Sequence, residues 1–403
     1  MRLHRNLTDA VIEGLSFICN DSQYADKVVE KQLKKDKRWG ARDRAFIAET
    51  IYEMVRWKRL YATIADVKLP FSVRDLRRMF AVWAVLKGIP LPNWGNYFEN
   101  TPERSIKGKF DELSKIRKFR ESVPDWLDDL ALKELGEDFW TKELRALNQL
   151  APVVLRANTL KISPLHLKEM LQNEGVQAGL LENYPEALEL TERTNIFTTN
   201  AFKNGLFEVQ DASSQKVAPF LEVQAGMRVI DTCAGAGGKT LHLASLMKNK
   251  GQIIAMDIYE NKLQELKRRA RRNEVFNVET KLIDSKQLKR MQGTADRVLI
   301  DAPCSGLGVL KRNPDAKWKL KLEFLDEIRQ TQQDILRNYA KLVKSGGKLV
   351  YATCSILPSE NKMQVERFLN SEAGSDFELE QDEAIFAHIS GYDGFYMAKI
   401  KRK

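Results

Sequence analysis

The chain has 403 residues, 43% of them hydrophobic and 30% charged, with a formal net charge of +10, a composition that predicts a globular protein of two or three domains. No apolar run reaches the roughly 18 residues that a membrane helix needs, and no signal-peptide core follows the charged start, so we expect a cytoplasmic protein without a membrane partner. Its four cysteines and four histidines include no C-x-x-C pair and no clustered ligand set, which argues against a disulfide scaffold and a metal site.

The first 120 residues carry the whole positive excess. They contain 25 lysines and arginines and 15 aspartates and glutamates, whereas the rest of the chain holds 40 of each. Apolar residues recur at helical spacing from Leu7 to Leu15, the run 31–44 is strongly basic, and Pro90–Thr101 is rich in turn formers. We predict a helical domain over residues 1–120 that docks a nucleic acid; a basic but merely solvated surface is the alternative.

The next segment, residues 121–210, is predicted to form a small α/β unit. The pattern indicates one or two helices over Asp125–Leu150, a strand over Val153–Asn158 and an amphipathic helix over Leu165–Glu174. Gly175 follows that helix, as glycine commonly does after a helix end.

From residue 211 to the end, short apolar strands alternate with helices. Strands are predicted at 228–231, 252–257, 278–283, 297–301, 348–353 and 395–400, and helices at 241–248, 261–273, 325–343 and 359–369. This alternation predicts an α/β fold with a doubly wound, mostly parallel sheet and right-handed crossovers. In such sheets, ligands bind beyond the carboxyl ends of the strands.

The segment Val229–Thr240 is predicted to be a strand, a glycine-rich turn and the start of a helix, and two classes of ligand compete for it. Gly238-Lys239-Thr240 supplies the end of a nucleotide-binding P-loop, but Cys233 stands where that signature needs glycine. An adenosine cofactor predicts an acid after the next strand, about 20 residues on, for the ribose hydroxyls. Asp257 is at that position, and Asp284, after the third strand, could meet the adenine. These acids favour the adenosine cofactor.

Two cysteines follow predicted strands. Cys304 comes shortly after the strand that ends at Asp301, and Cys354 directly follows the strand that ends at Thr353. If these strands are neighbours, about 4.8 Å apart, both thiols face one pocket. Each thiol taken alone is more typical of a small core residue.

Two thiols, one carboxylate and a nearby cation suit the alkylation of a pyrimidine. A thiolate adds to carbon 6, carbon 5 then takes a methyl group and loses its proton, and the thiol is eliminated. A free thiol with a pKa near ~8.5 needs a local positive charge to ionise, and Lys239 could supply it. Asp301 is expected to contact ring nitrogen 3. The residues by themselves do not decide whether Cys304 or Cys354 attacks.

Six ordered motifs resemble those of the ribosomal RNA cytosine-carbon-5 methyltransferases of the bacterial Sun/Fmu (RsmB-like) type. They span about residues 150–400 and are Phe207–Gln215, Asp231–Thr240, Asp301–Gly308, Arg312–Trp318, Tyr351–Ile356 and Asp393–Tyr396. The N-terminal Arg42–Ala48 and Val55–Trp57 are similar to the NusB-like helical RNA-binding domain of the bacterial members.

The resemblance implies a Rossmann-like catalytic domain over residues 211–403, preceded by a NusB-like domain over 1–120 and an RNA-recognition-like unit over 121–210. The implied cofactor is S-adenosylmethionine. The residues expected to bind it are Cys233, Ala234, Gly235, Ala236, Gly237, Gly238, Lys239, Asp257, Asp284 and Asp301.

The resemblance also implies a division of roles between the two thiols. Cys354 would attack the cytosine, and Cys304 would assist product release. Arg156 and Asn158 would lie on the RNA side of the small unit. The implied partner is RNA, with small-subunit (16S) ribosomal RNA as the expected substrate, and we expect a monomer.

Two departures from the family pattern are present. Gly235-Ala236 replaces the usual Ala-Pro, which adds backbone freedom and could lower cofactor affinity. Lys262 replaces an arginine and cannot make a bidentate contact. The alternatives are a transfer RNA cytosine methyltransferase and a non-catalytic, antitermination-like RNA-binding factor.

Overall fold

A computed structural model of the chain describes residues 2–98 and 102–403. The end of the predicted loop at 90–101 therefore lies outside the described residues. Within the described part, no helix is long and apolar enough to cross a membrane, and no group of three or more histidines, cysteines and acids could hold a metal ion.

The helices and strands are numbered in chain order. The helices are α1 (Arg5–Cys19), α2 (Ala25–Leu33), α3 (Ala41–Arg56), α4 (Lys58–Ala65), α5 (Val73–Leu86), α6 (Glu103–Leu113), α7 (Arg117–Arg120), α8 (Asp125–Leu135), α9 (Glu137–Leu147), α10 (Pro164–Asn173), α11 (Asn200–Lys203), α12 (Ala212–Gln215), α13 (Val217–Phe220), α14 (Gly238–Leu246), α15 (Glu260–Arg272), α16 (Ser285–Arg290), α17 (Ala316–Lys319), α18 (Leu322–Ala340), α19 (Lys362–Leu369) and α20 (Ala387–Ser390). The strands are β1 (Val154–Ala157), β2 (Ala178–Leu181), β3 (Tyr184–Leu190), β4 (Phe207–Val209), β5 (Arg228–Asp231), β6 (Gln252–Asp257), β7 (Val278–Leu282), β8 (Ala295–Asp301), β9 (Val343–Thr353), β10 (Phe377–Ile385) and β11 (Phe395–Arg402).

The chain divides into two compact units. The first, the helical unit, contains the described residues up to Gln149 together with Leu310–Leu322. Its core is formed by the apolar faces of the helices; in α1, for example, Leu7, Val11 and Leu15 are buried at helical spacing.

The segment Leu310–Leu322 packs among these helices although it lies far along the chain. Asp315 accepts a hydrogen bond from the backbone N–H of Ala25 (3.1 Å), and the indole of Trp318 donates to the carbonyl of Val55 (2.7 Å). Two residues of the motif Arg312–Trp318 are thus hydrogen-bonded to helices of this unit.

The second unit contains Leu150–Val309 and Glu323–Lys403 and is built on two sheets. The smaller sheet is antiparallel, with the strand order β2-β3-β1-β4. The larger sheet has the order β10-β11-β9-β8-β5-β6-β7 and is parallel except for β11, which runs antiparallel to both β9 and β10. The prediction of a doubly wound, mostly parallel sheet is confirmed.

Helices cover both faces of the larger sheet because its strands bury alternate side chains on opposite sides. In β6, Ile254 and Met256 belong to the core on one face, and Ile253 and Ala255 to the core on the other. The chain leaves β5 for β6 on one side, while β8 pairs with β5 on the other side. This switch point opens the crevice in which open α/β sheets bind ligands.

One predicted boundary is wrong. The helix expected over 325–343 ends at Ala340, and β9 begins already at Val343. The turn formers Gly346-Gly347 interrupt the apolar run, so the pattern concealed the first part of the strand. The pairing of β8 with β9 is correspondingly irregular between Ala295 and Arg297.

Candidate functional site at the carboxyl edge of the larger sheet

The larger sheet brings the carboxyl ends of four neighbouring strands to one edge. Asp231 ends β5, Asp257 ends β6 and Asp301 ends β8, while Cys354 follows the end of β9. The predicted adjacency of the strands that precede the two thiols is confirmed, because β8 pairs in parallel with β9 and Asp301 lies opposite Ala352.

The glycine-rich loop between β5 and α14 turns back over the end of β6. Gly235 and Gly237 have positive φ angles of 53° and 89°, which other residues adopt at a cost. Asp257 holds this loop: one carboxylate oxygen accepts the N–H of Gly235 (2.8 Å) and the other accepts the N–H of Tyr259 (2.9 Å). A Cβ atom added at Gly235 or Gly238 would meet no neighbouring atom within 4 Å. A carboxylate beside an open, backbone-lined cradle fits an adenosine cofactor.

Two arginines, Arg156 buried and Arg269 partly buried, hold the carbonyl groups of the same loop. Arg156 donates to the carbonyl of Gly238 (2.7 Å), and Arg269 donates to the carbonyl of Ala236 (2.8 Å). Arg269 is oriented in turn by an ion pair with Glu208 (2.8 Å). These contacts restrain the Gly235-Ala236 stretch, which lacks the rigid proline of the family pattern.

The expectation that Arg156 and Asn158 face RNA is wrong. Their side chains are only 2% and 3% exposed. Asn158 donates to the carbonyls of Gly205 and Asn273, both at 2.9 Å, so its amide is used inside the unit. The sequence pattern around β1 does not indicate which face of this short strand is packed against the rest of the unit, so the burial of Arg156 and Asn158 could not be predicted.

Alanine at position 237 is expected to destabilise the protein, whereas alanine at position 238 is not. Gly237 has a left-handed backbone, and a Cβ there would come within 2.6 Å of Cγ of Leu266. The left-handed conformation alone costs roughly 1–2 kcal/mol for a residue with a Cβ. Gly238 begins α14 in an open position, where alanine favours the helix. Thermal unfolding without ligand should show a lower Tm for Gly237→Ala only; equal Tm values for both variants would contradict this account.

Lys239 and Asp301 form an ion pair at the centre of the edge. Nζ of Lys239 lies 2.7 Å from the carboxylate of Asp301 and 5.2 Å from the ring centre of Phe395. Burial by itself would lower the pKa of Lys239, but the Asp301 carboxylate outweighs it and raises that pKa, so the lysine is a stable cation. Burial raises the pKa of the neighbouring Asp231 to about 7, against the hydrogen bond that Thr240 donates to it.

The two cysteines lie side by side. Sγ of Cys304 is 3.3 Å from Sγ of Cys354, close enough for one thiol to donate a hydrogen bond to the other sulfur. The contact with Cys354 and burial both raise the pKa of Cys304, which therefore stays a thiol. The Cys354 sulfur in turn lies in the field of the Lys239 cation.

Two other predicted cofactor residues differ in their exposure to solvent. Cys233 is partly buried against the core on one face of the sheet, and burial raises its thiol pKa. Asp284 is exposed and caps α16 by accepting the N–H of Lys286 (3.3 Å). Lys262 is also exposed, in the first turn of α15.

One buried carboxylate at this edge was missed by the sequence analysis. Glu360 is fully buried and accepts hydrogen bonds from Ser305 and Ser355, the residues that directly follow the two cysteines. The signal that could have pointed to it is the repeated Cys-Ser dipeptide at 304–305 and 354–355.

Comparisons with known proteins find two matching family models. A family model described as 16S rRNA methyltransferase RsmB/F matches residues 218–401, and one described as the RsmF/B-like ferredoxin-like domain matches residues 123–197.

Individual relatives extend the similarity over most of the chain. It is 31% identical to the probable ribosomal RNA small subunit methyltransferase B of Synechocystis, over 94% of this chain and 95% of that protein. It is 35% identical to the ribosomal RNA small subunit methyltransferase B of Proteus mirabilis, over 70% of this chain but only 66% of that longer relative. A crystal structure of a methyltransferase homolog from Pyrococcus horikoshii superimposes with a TM-score of 0.63 at 29% identity, over 71% of this chain and 98% of that chain.

Proposed function

Because the chain belongs to the RsmB/F family of 16S ribosomal RNA methyltransferases, which are S-adenosylmethionine-dependent, we propose that it methylates carbon 5 of a cytosine in small-subunit ribosomal RNA. The observation that carries the proposal is the pair of sulfur atoms 3.3 Å apart at the ends of neighbouring strands, beside the ion pair of Lys239 and Asp301. Methylation of an exocyclic nitrogen or a ribose hydroxyl would need no thiol.

The two thiols have different surroundings, which supports different roles. We assign the attack to Cys354, whose sulfur lies in the field of the Lys239 cation. The raised pKa of Cys304 keeps this thiol protonated, and its sulfur lies within hydrogen-bonding distance of the Cys354 sulfur. It is therefore suited to return a proton to that sulfur when the product leaves.

The proposed reaction begins with addition of the Cys354 sulfur to carbon 6 of the cytosine. The electron pair of the 5,6 double bond then makes carbon 5 nucleophilic. Asp301 is proposed to contact ring nitrogen 3, and the Lys239 cation beside it to stabilise the negative charge that develops there. The loop 233–239 with Asp257, Asp284 and Asp301 would hold S-adenosylmethionine, which would supply the methyl group. A base then takes the proton from carbon 5, the electron pair of that C–H bond re-forms the 5,6 double bond, and the Cys354 sulfur leaves as a thiolate, to which Cys304 can return a proton.

RNA binding is assigned to the basic end of the chain. Residues 1–120 have a net charge of +10, and the exposed side chains in this region include Lys34 and Arg38. A surface of this kind binds a phosphate backbone without regard to sequence. We propose that this domain and the unit at 121–210 bring the RNA to the catalytic domain at 211–403.

Incubation with unmodified 16S ribosomal RNA and methyl-labelled S-adenosylmethionine tests the proposal. The expected product is 5-methylcytosine at one site, located by bisulfite sequencing. Unmodified transfer RNA is the matched control, and label in it alone would assign the enzyme to that substrate. RNA binding without any incorporation would favour a non-catalytic factor.

A further inference from the structure

We infer that Glu360 is a positioning residue that holds Cys304 and Cys354 together through the serine that follows each of them. The inference rests on the proposed function for its consequences in catalysis. Its structural part, the control of the distance between the two sulfurs, stands on contacts within the protein.

The carboxylate of Glu360 receives four donors. Its Oε1 accepts the hydroxyls of Ser305 and Ser355, both at 2.6 Å. Its Oε2 accepts the backbone N–H of Ser305 (2.8 Å) and the side-chain amide of Gln332 (3.2 Å). A carboxylate accepts this many bonds without donating any, which suits a site where every neighbour is a donor.

The backbone around Glu360 is itself held in place. Its backbone carbonyl accepts the hydroxyl of Tyr351 (2.8 Å), which comes from β9. The neighbouring Asn361 donates from its side chain to the carbonyl of Ser355 (2.9 Å). The carboxylate therefore has little freedom, and it links the turn after β8 to the turn after β9 from a rigid position.

A buried carboxylate is costly, so these contacts matter for stability as well as for geometry. Glu360, Gln332 and Ser355 are fully buried, and Ser305 is nearly so. A buried charge persists only where hydrogen bonds replace the lost water. An apolar side chain would fill this space at a lower desolvation cost. It could not accept hydrogen bonds from both Cys-Ser turns.

The consequence is a fixed relation between the two sulfurs. The Cys304 and Cys354 turns come from different loops, and loops move more than the strands they follow. With both adjoining serines on one oxygen, the sulfurs are kept in hydrogen-bonding contact at 3.3 Å. The pKa of Cys304 is raised by its contact with Cys354, by burial and also by the negative charge of Glu360. Each of these effects favours the protonated form of Cys304.

Glu360→Gln is the test, because the amide keeps the shape but presents an NH₂ group to at least one of the donors. The sulfur contact is measured directly by the rate at which diamide couples Cys304 to Cys354. In that reaction the two thiols lose two protons and two electrons, an S–S bond forms, and diamide is reduced to the hydrazine. We expect the rate of this coupling, followed by peptide mass spectrometry, to fall about tenfold or more, since misplacement by 1 Å can cost 10²-fold.

The catalytic consequence is a loss in kcat, about 100-fold on the same basis, with KM for S-adenosylmethionine unchanged. Glu143→Gln, at an equally buried glutamate of α9, is the matched control and should keep wild-type coupling and kcat. If Glu360→Gln does not fold, Ser305→Ala and Ser355→Ala each remove one hydroxyl and should slow the coupling on their own.

Wild-type coupling in Glu360→Gln, or in both serine variants, would overturn the inference. That result is separate from a failure of the proposed function. If the wild-type protein methylates no RNA, the coupling rates still measure the contact; if it methylates RNA and the variants couple normally, only the role of Glu360 is lost.

Discussion

Cys354→Ala should abolish methyl transfer to RNA, with a loss in kcat of roughly 10⁴-fold or more, as expected when the attacking atom of a covalent mechanism is removed. The reason is that carbon 5 of cytosine becomes nucleophilic only after a sulfur has added to carbon 6. Cys304, although its sulfur is 3.3 Å away, does not replace Cys354 because its raised pKa keeps it a thiol. Incorporation of labelled methyl groups under single-turnover conditions measures the loss.

The matched control is Cys19→Ala. Cys19 lies in the helical unit, and burial raises the pKa of its thiol to about 11, so it should not react. Its alanine variant should methylate RNA at the wild-type rate. Cofactor binding by Cys354→Ala, measured by calorimetry, should be close to that of the wild type. Full methylation by Cys354→Ala would rule out the assigned nucleophile.

The second large effect is expected from Cys304→Ala, which should stop the reaction after methyl transfer and leave RNA covalently attached to the protein. The Cys304 thiol lies 3.3 Å from the Cys354 sulfur, and removing it takes away a proton source beside the leaving thiolate. The adduct should appear as a slowly migrating band on a denaturing gel, and it should require both RNA and S-adenosylmethionine.

The double variant Cys304→Ala/Cys354→Ala separates the two roles. It should form no adduct, because no sulfur is left to attack. If instead Cys354→Ala accumulates the adduct and Cys304→Ala turns over normally, the assigned roles are reversed. If neither variant forms an adduct and both still methylate RNA, the reaction does not pass through a thiol.

Much of the site could be predicted because many of its residues lie in short contiguous segments of the sequence. The apolar runs before Asp257 and Asp301 are strands, and the sheet carries their carboxyl ends to one edge. The glycines at 235 and 237 take the positive φ angles for which glycine is suited. These features depend on neighbours within a few residues, so they are visible without a fold.

Contacts between distant parts of the chain were not predictable in the same way. Arg156 was expected to face RNA, yet it is buried and donates to the carbonyl of Gly238, 82 residues along the chain. Leu310–Leu322, which contains the motif Arg312–Trp318 of the predicted catalytic domain, belongs to the helical unit. In each case the contact partner is determined by tertiary packing. The spacing of nearby apolar and polar residues in the sequence does not indicate that partner.

The sequence by itself determined the order of strands and helices, the strand-end acids and the two candidate thiols, because alternation of apolar residues and turn formers is a local property. Only the tertiary structure decided that Cys304 and Cys354 touch, that Lys239 pairs with Asp301, and that Glu360 binds both Cys-Ser turns. The physical reason is that these contacts join parts of the chain that lie 50 or more positions apart: Cys304 with Cys354, Lys239 with Asp301, and Glu360 with Ser305. The distance between the two cysteine turns depends on how β8 and β9 pair in the sheet.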